Sequence, residues 1–188
     1  MIHISTDFVF DGTQNRPITE DEKPKPQSVY AESKYAGELE ALKGEKNLVI
    51  RTSWLYSPYG NNFMKTMLRL GKEKEEIGVV NDQTGTPASA ADLVDAILHI
   101  IQKISISKKN YGGIYHYSNE GACTWYDFAS EIMRLAGLSC RVNPITTAEY
   151  PLPAKRPAYS VLDKSKIKST FGLKIPGWKE SLSLVFKS

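Results

Sequence analysis

The run "MIHISTD" at residues 1–7 constrains the fold more than any other stretch of the chain. Apolar, β-branched residues that end abruptly in Thr6 and Asp7 read as a buried strand whose carboxyl end carries polar side chains into a cleft. The loop "FVFDGTQNRPITEDEKPKPQ" follows, with Asp11-Gly12 as a turn signal and three prolines that keep it on the surface. A helix is then expected over about residues 29–43 with Ser28 as its N-cap, followed by a second apolar strand in "NLVIRTSWLYS". Strand, helix, strand in this order is the pattern of a right-handed crossover in a parallel sheet.

The pattern continues as α/β. "NNFMKTMLRLGKEKE" reads as a helix, "IGVVND" as a short strand, and "SAADLVDAILHIIQKI" as an amphipathic helix capped by Ser89. "GGIYHYSN" is strand-like, and Thr124 and Asp127 frame a capping box that opens "WYDFASEIMRLAG", closed by Gly137. The tail holds a strand, "CRVNPIT", a long loop, "TAEYPLPAKRPAYSVLD", and two short helical patterns, "KSKIKSTFG" and "WKESLSLVF". Residues 1–60 are expected to form part of the main sheet, and residues 61–188 mostly a smaller substrate-covering lobe interleaved with the last sheet strands.

Charge and cysteine usage narrow the function classes. A net charge of +3 comes from lysines scattered among acids, so neither a basic stripe nor nucleic-acid binding is indicated. Two cysteines, Cys123 and Cys140, with no Cys-x-x-Cys and no nearby His pair indicate neither a disulfide framework nor a zinc site. The first residues lack a basic and apolar leader pattern, and no run approaches the length of a membrane span, so a cytoplasmic protein is expected. His3, His99 and His116 fall inside strand or helix patterns and read as structural.

Within "SVYAESKYAGE", Tyr30 and Lys34 stand four residues apart, which on a helix places a phenol and an ammonium on one face. Ten tyrosines and eighteen lysines in 188 residues give about one such pair by chance, and a solvated pair at this spacing is ordinary. The context adds chemistry: ligands of open parallel sheets bind beyond the carboxyl ends of the strands, where Thr6 and Asp7 would sit. A phenol with a pKa of about 10 moves protons near neutrality only if a neighbouring cation stabilises its phenolate. Lys34 could supply that charge, a threonine hydroxyl could align the proton, and carbonyl reduction would then need hydride from a nicotinamide cofactor.

The blocks "HISTDFVFDG", "VYAESKYAGE", "IRTSWLYSPYGNNF", "DQTGTPASAADL" and "RPAYSVLD", in this order and spacing, resemble the dTDP-4-dehydrorhamnose reductase family of the extended short-chain dehydrogenase/reductase superfamily. The resemblance spans almost the whole chain. It implies the C-terminal part of a Rossmann-like parallel sheet with helices, plus a small α/β substrate-binding lobe. It further implies NADPH or NADH as cofactor, a dTDP-sugar as substrate, and reduction of the C4 keto group of dTDP-4-dehydro-L-rhamnose. On that resemblance Tyr30 donates the proton, Lys34 lowers its pKa and contacts the nicotinamide ribose, and Thr6 completes the triad. Asp7 would touch the sugar and Trp54 would pack against it, with Asn62 and Arg156 at the diphosphate end, where a planar guanidinium suits phosphate.

Each of these residues has an ordinary structural role open to it. Thr6 and Asp7 suit a strand-end turn, Trp54 a core, Asn62 a helix cap before Phe63, and Arg156 a surface ion pair. Two other functions share the resemblance: a non-catalytic relative such as the regulatory subunit of methionine adenosyltransferase, and a sugar-nucleotide epimerase or dehydratase. Dehydratases generally carry an acidic pair after the strand-end threonine, whereas Asp7 is followed by Phe8. Magnesium and homodimerisation vary within the family and stay open here.

The thirteen glycines contain no pair spaced by two or three residues, so the glycine turn that grips a dinucleotide pyrophosphate is absent from this chain. The expectation is a C-terminal portion of a longer reductase, inactive alone. Its first strand would be an open edge to be covered by the missing N-terminal half or by another chain.

Overall fold

A computed structural model describes residues 1–107, 109–151 and 156–187; the loop expected over residues 147–163 falls partly outside them. In chain order the elements are β1 (Ile2–Thr6), a 3-10 turn (Asp7–Val9), α1 (Val29–Leu42), β2 (Leu48–Thr52), β3 (Leu55–Tyr56) and α2 (Phe63–Glu73). Next come β4 (Glu76–Val80), β5 (Thr84–Gly85), β6 (Ala88–Ser89), α3 (Ala90–Ile106), β7 (Gly113–His116) and β8 (Cys123–Thr124). The chain closes with α4 (Trp125–Ala136), β9 (Arg141–Ile145), a 3-10 turn (Thr147–Glu149), α5 (Ser165–Phe171) and α6 (Trp178–Val185).

β1, β2 and β7 form a parallel sheet in the order β1-β2-β7, in register from Ile2 opposite Leu48 to Thr6 opposite Thr52. Every residue of β2 is buried, as a central strand covered on both faces requires. Its Leu48 and Ile50 side chains, with Tyr115 and Tyr117, pack with Leu93, Ala96 and Ile100 of α3 and Ile167 and Phe171 of α5. β1 pairs only with β2 among the described residues.

A second apolar cluster joins α2, β4, α4 and α6, with Phe128, Ile132 and Leu182 fully enclosed. Here β4 and β9 pair in parallel, Glu76 opposite Arg141 through Val80 opposite Ile145. The expected strand "IGVVND" therefore begins one residue earlier, at Glu76, and stops before Asn81. The two-residue strands β3, β5, β6 and β8 had no period long enough to be read from sequence.

Local chemistry sets the helix boundaries. Ser28 caps α1 by accepting from the Ala31 N–H, Ser89 caps α3 through the Asp92 N–H, and Thr124 with Asp127 forms the reciprocal capping box of α4. Gly137 ends α4 at φ 63°, in the left-handed region where a side chain would be strained. No described helix is long and apolar enough to cross a membrane.

Candidate active site

Helix α1 runs along β1 and grips it at successive turns. The Tyr30 ring stands edge-on to Phe8, with centroids 6.1 Å apart, the Lys34 ammonium donates to the Ile4 carbonyl at 2.6 Å, and Glu38 accepts from the Ser5 hydroxyl at 2.5 Å. Spacing by four residues puts Tyr30, Lys34 and Glu38 on one stripe of the helix. Thr6 is thereby bracketed, since Lys34 holds the residue two before it and Tyr30 touches the residue two after it. Tyr30 is 55% exposed. Among the described residues Lys34 uses one of its three donors, on the Ile4 carbonyl.

Thr6 and Asp7 are both buried. The Thr6 hydroxyl accepts from the Phe8 N–H at 3.2 Å and donates to Asp7 Oδ1 at 3.1 Å, while Asp7 Oδ2 lacks a hydrogen-bond partner. Burial pushes the Asp7 carboxyl up to about 7, and the Ser160 and Thr6 hydroxyls offset only part of that rise. The strand-end turn expected as the ordinary role of these residues is present, because Thr6 caps the Asp7–Val9 turn. That turn also holds a carboxyl group in a desolvated place with the Ser160 hydroxyl beside it, which a turn does not require.

Trp54 follows β2 with φ 44°, a left-handed conformation costly for a bulky residue. The bend lays its indole flat on Trp125, centroids 3.6 Å apart and planes within 10°, with Phe63 against Trp125 at 4.6 Å. Gly85 sits beneath: a Cβ there would lie 2.5 Å from the Trp54 ring and 2.8 Å from the Ser160 hydroxyl. Asp7, Ser160, Gly85 and Trp54 thus form one continuous neighbourhood. Sequence reasoning did not single out Ser160, Gly85 or Trp125, although Ser160 and Gly85 lie inside the blocks "RPAYSVLD" and "DQTGTPASAADL".

Arg156 is exposed and lines a shallow depression with Phe8, Phe10, Asp11, Gln27, Ser28 and Pro157. Gly12 makes the approach close, since a Cβ at its φ of 77° would meet Pro157 at 2.4 Å. Arg156 therefore shares a rim with Phe8, the residue that touches Tyr30. Asn62 is not joined to this set by any of these contacts. Its Oδ1 caps α2 through the Lys65 N–H, and its Nδ2 donates to the Ser57 and Tyr59 carbonyls at 2.7 and 3.2 Å. Its local role as a cap accounts for all of these bonds.

A buried charge cluster lies behind the site. Arg51 on β2 makes a bidentate pair with Glu38, and its guanidinium stacks 5.0 Å from the Phe10 ring. His116 donates from Nδ1 to the Ile18 carbonyl and turns Nε2 toward Arg51, 3.4 Å away. Burial, and then the Arg51 charge, push His116 down to about 3. His116 is therefore structural, as its place in a strand pattern implied. Among the described residues no cluster of three or more His, Cys, Asp or Glu side chains is placed to hold a metal ion, so the magnesium expectation finds no support.

Comparison with known proteins places this geometry in a family. The dTDP-4-dehydrorhamnose reductase of Sinorhizobium fredii is 42% identical over 187 residues, an alignment covering 96% of this chain and 63% of that protein. The crystal structure of a dTDP-4-dehydrorhamnose reductase from Clostridium acetobutylicum superposes with a TM-score of 0.92 at 45% identity, covering 99% of this chain and 64% of that one. A dTDP-4-dehydrorhamnose reductase from Bacillus anthracis, solved in complex with NADP, gives the same TM-score at 42% identity, with the same coverage. The chain thus spans somewhat less than two thirds of the length of each of these relatives. The sequence profile of the RmlD substrate binding domain matches residues 1–188, and the chain belongs to that family.

Proposed function

We propose that this chain carries the substrate site and the proton-donating residues of a reductase that converts the C4 keto group of dTDP-4-dehydro-L-rhamnose to the alcohol with NAD(P)H. The reading rests on one observation above the others: α1 brackets Thr6, with Lys34 on Ile4 and Tyr30 on Phe8. That bracketing supports the reading because α/β proteins bind ligands at the carboxyl ends of parallel strands, the end at which Thr6 stands. The names of the relatives supply the substrate class, and the NADP complex of one of them supplies the cofactor.

In this reading the Tyr30 phenol gives its proton to the substrate oxygen, and the Lys34 ammonium stabilises the phenolate left behind. The nicotinamide, when bound, supplies the hydride. Lys34 fits such a group because, among the described residues, it spends one of three donors on the Ile4 carbonyl and ribose hydroxyls could take the others. Thr6 orients the reacting oxygen, Asp7 contacts the sugar beside it, and the Trp54 indole, braced by Trp125, forms an apolar wall against it. Arg156 serves the diphosphate from the rim. Asn62 is assigned to the same end on the family resemblance alone, since its observed bonds are those of a helix cap. Residues 1–60 are read as the sheet-bearing part and 61–188 as mostly the covering lobe, interleaved with the last sheet strands; one apolar cluster joins Leu48 and Ile50 to Leu93, Tyr115 and Phe171 across that boundary.

The test is NADPH oxidation with dTDP-4-dehydro-L-rhamnose. It compares the chain alone, the chain extended on its N-terminal side to the length of the reductases it matches, and the extended Tyr30→Phe variant. Turnover by the extended protein that falls about 100-fold or more in Tyr30→Phe supports the reading. An extended protein that folds but leaves NADPH unoxidised would sink it.

A further inference from the structure

Helix α1 meets the sheet with almost no large apolar side chain. Its buried residues are Ala31, Glu38 and Ala41, and Gly37 lies so close to His3 that a Cβ would come within 3.2 Å of the ring. Its Val29 and Leu39 are exposed. Among the described residues no α1 side chain belongs to either large apolar cluster, and Tyr35 packs against the small cluster of Val9, Phe10, Ile18 and Leu162. Small side chains interdigitate little, so packing alone leaves the helix free to slide along β1. Polar bonds must set its position.

Two sets of such bonds sit about one turn apart. Lys34 donates to the Ile4 carbonyl, and the Glu38 carboxylate accepts from the Ser5 hydroxyl and from Nε and Nη2 of Arg51. Lys34 is a point charge on a flexible four-carbon stem and fixes the helix loosely. Glu38 is fully buried, and Arg51 is itself held on the central strand, stacked 5.0 Å from the Phe10 ring and 3.4 Å from His116 Nε2. A bidentate pair of planar groups has a narrow range of good geometry, and sliding out of it leaves charge unpaired in the interior. We propose that Glu38 is a positioning residue that pins α1 on β1 at the one register in which the Tyr30 and Lys34 contacts bracket Thr6. Its effect on turnover rests on the reductase reading above; the register itself does not.

An α-helix rises about 1.5 Å per residue, so Glu38 lies about 6 Å along the axis from Lys34 and about 12 Å from Tyr30. It acts on them through the helix backbone and touches no reacting atom. Misplacing a reacting group by about 1 Å costs about 100-fold in rate, so a small slide of α1 is enough to matter. An apolar pair filling the same space resists unfolding as well as the ion pair does, but tolerates neighbouring registers. Stability and positioning come apart in that substitution.

The experiment uses Glu38→Leu/Arg51→Met, which removes the pin without leaving either charge buried alone. In the 188-residue chain, carbon-13 NMR of the Ile4 carbonyl reads the Lys34 bond as the shift that Lys34→Met produces. That shift should be less than about half as large in the double-variant background as in the wild type. In the chain extended to the length of the reductases it matches, the double variant should lose about 100-fold in kcat, with KM changed less than about twofold. If the double variant does not fold, Glu38→Asp, which keeps the charge and shortens the reach by one methylene, is read in the same two ways. An equal Ile4 shift in both backgrounds, or an unchanged kcat in an active extended protein, would overturn the proposal. If the extended wild type folds without oxidising NADPH, the reductase reading fails, and the Ile4 carbonyl alone decides whether Glu38 sets the register.

Discussion

Arg51 and Glu38 face each other across the interface of β2 and α1 with side chains 1% and 0% exposed, Nε to Oε1 at 2.9 Å and Nη2 to Oε2 at 2.7 Å. A charge inside a fully buried strand is tolerable only when its partner is equally buried and well aligned. Glu38 also takes the Ser5 hydroxyl, so the pair ties the helix bearing Tyr30 and Lys34 to the strand bearing Thr6. Arg51→Met leaves the Glu38 carboxylate buried without its cation and should cost about 3–5 kcal/mol in urea denaturation. The double variant Arg51→Met/Glu38→Leu should recover much of that loss. A single variant as stable as the wild type would show that the pair does not hold the helix.

His116 gives the stability a direction with pH. Its folded value is pushed down to about 3 from an ordinary 6.5, by burial first and the Arg51 charge second. Between these values the unfolded chain binds the proton and the folded one does not, so stability rises with pH across the window. The contribution is complete above about pH 6.5 and is lost progressively as pH falls toward 3. Denaturation midpoints compared between pH 7 and pH 5 should fall less in His116→Asn than in the wild type. Equal slopes would remove His116 from the acid lability.

Gly85 is the floor under Trp54. A methyl group at that position would overlap the indole at 2.5 Å and the Ser160 hydroxyl at 2.8 Å, so Gly85→Ala must push the ring off Trp125. The cost expected from such overpacking is about 1–3 kcal/mol. Near-UV circular dichroism reads the displacement directly, because two indoles stacked at 3.6 Å couple strongly and separated ones do not. An unchanged spectrum would mean that the ring pair is held from elsewhere.

Tyr30 separates chemistry from folding. It is 55% exposed and its contact is with the Phe8 ring, so Tyr30→Phe should leave stability within about 0.5 kcal/mol while removing the proposed proton donor. Lys34→Met should cost about 0.5–1.5 kcal/mol or more, because it deletes the bond to the Ile4 carbonyl. Thermal melts of both variants check this ordering; a Tyr30→Phe protein that is strongly destabilised would make its activity loss uninformative.

The sequence by itself determined what depends on local periodicity and short-range capping. The alternation of strand and helix, the caps at Ser28, Ser89 and Thr124, the Gly137 stop and the Tyr30–Lys34 stripe all follow from neighbours within about four residues. The ordered blocks marked the family, which the comparison confirms. Tertiary structure alone decided which distant groups meet. Arg51 finds Glu38 thirteen residues away, Trp54 finds Trp125, and Asp7 comes beside Ser160 from the far end of the chain. Asn62 reads equally as cap or ligand contact in sequence, and its three bonds are local. No pattern in a one-dimensional string carries desolvation, which is why the raised Asp7 carboxyl and the depressed His116 appear only once the chain has closed around them.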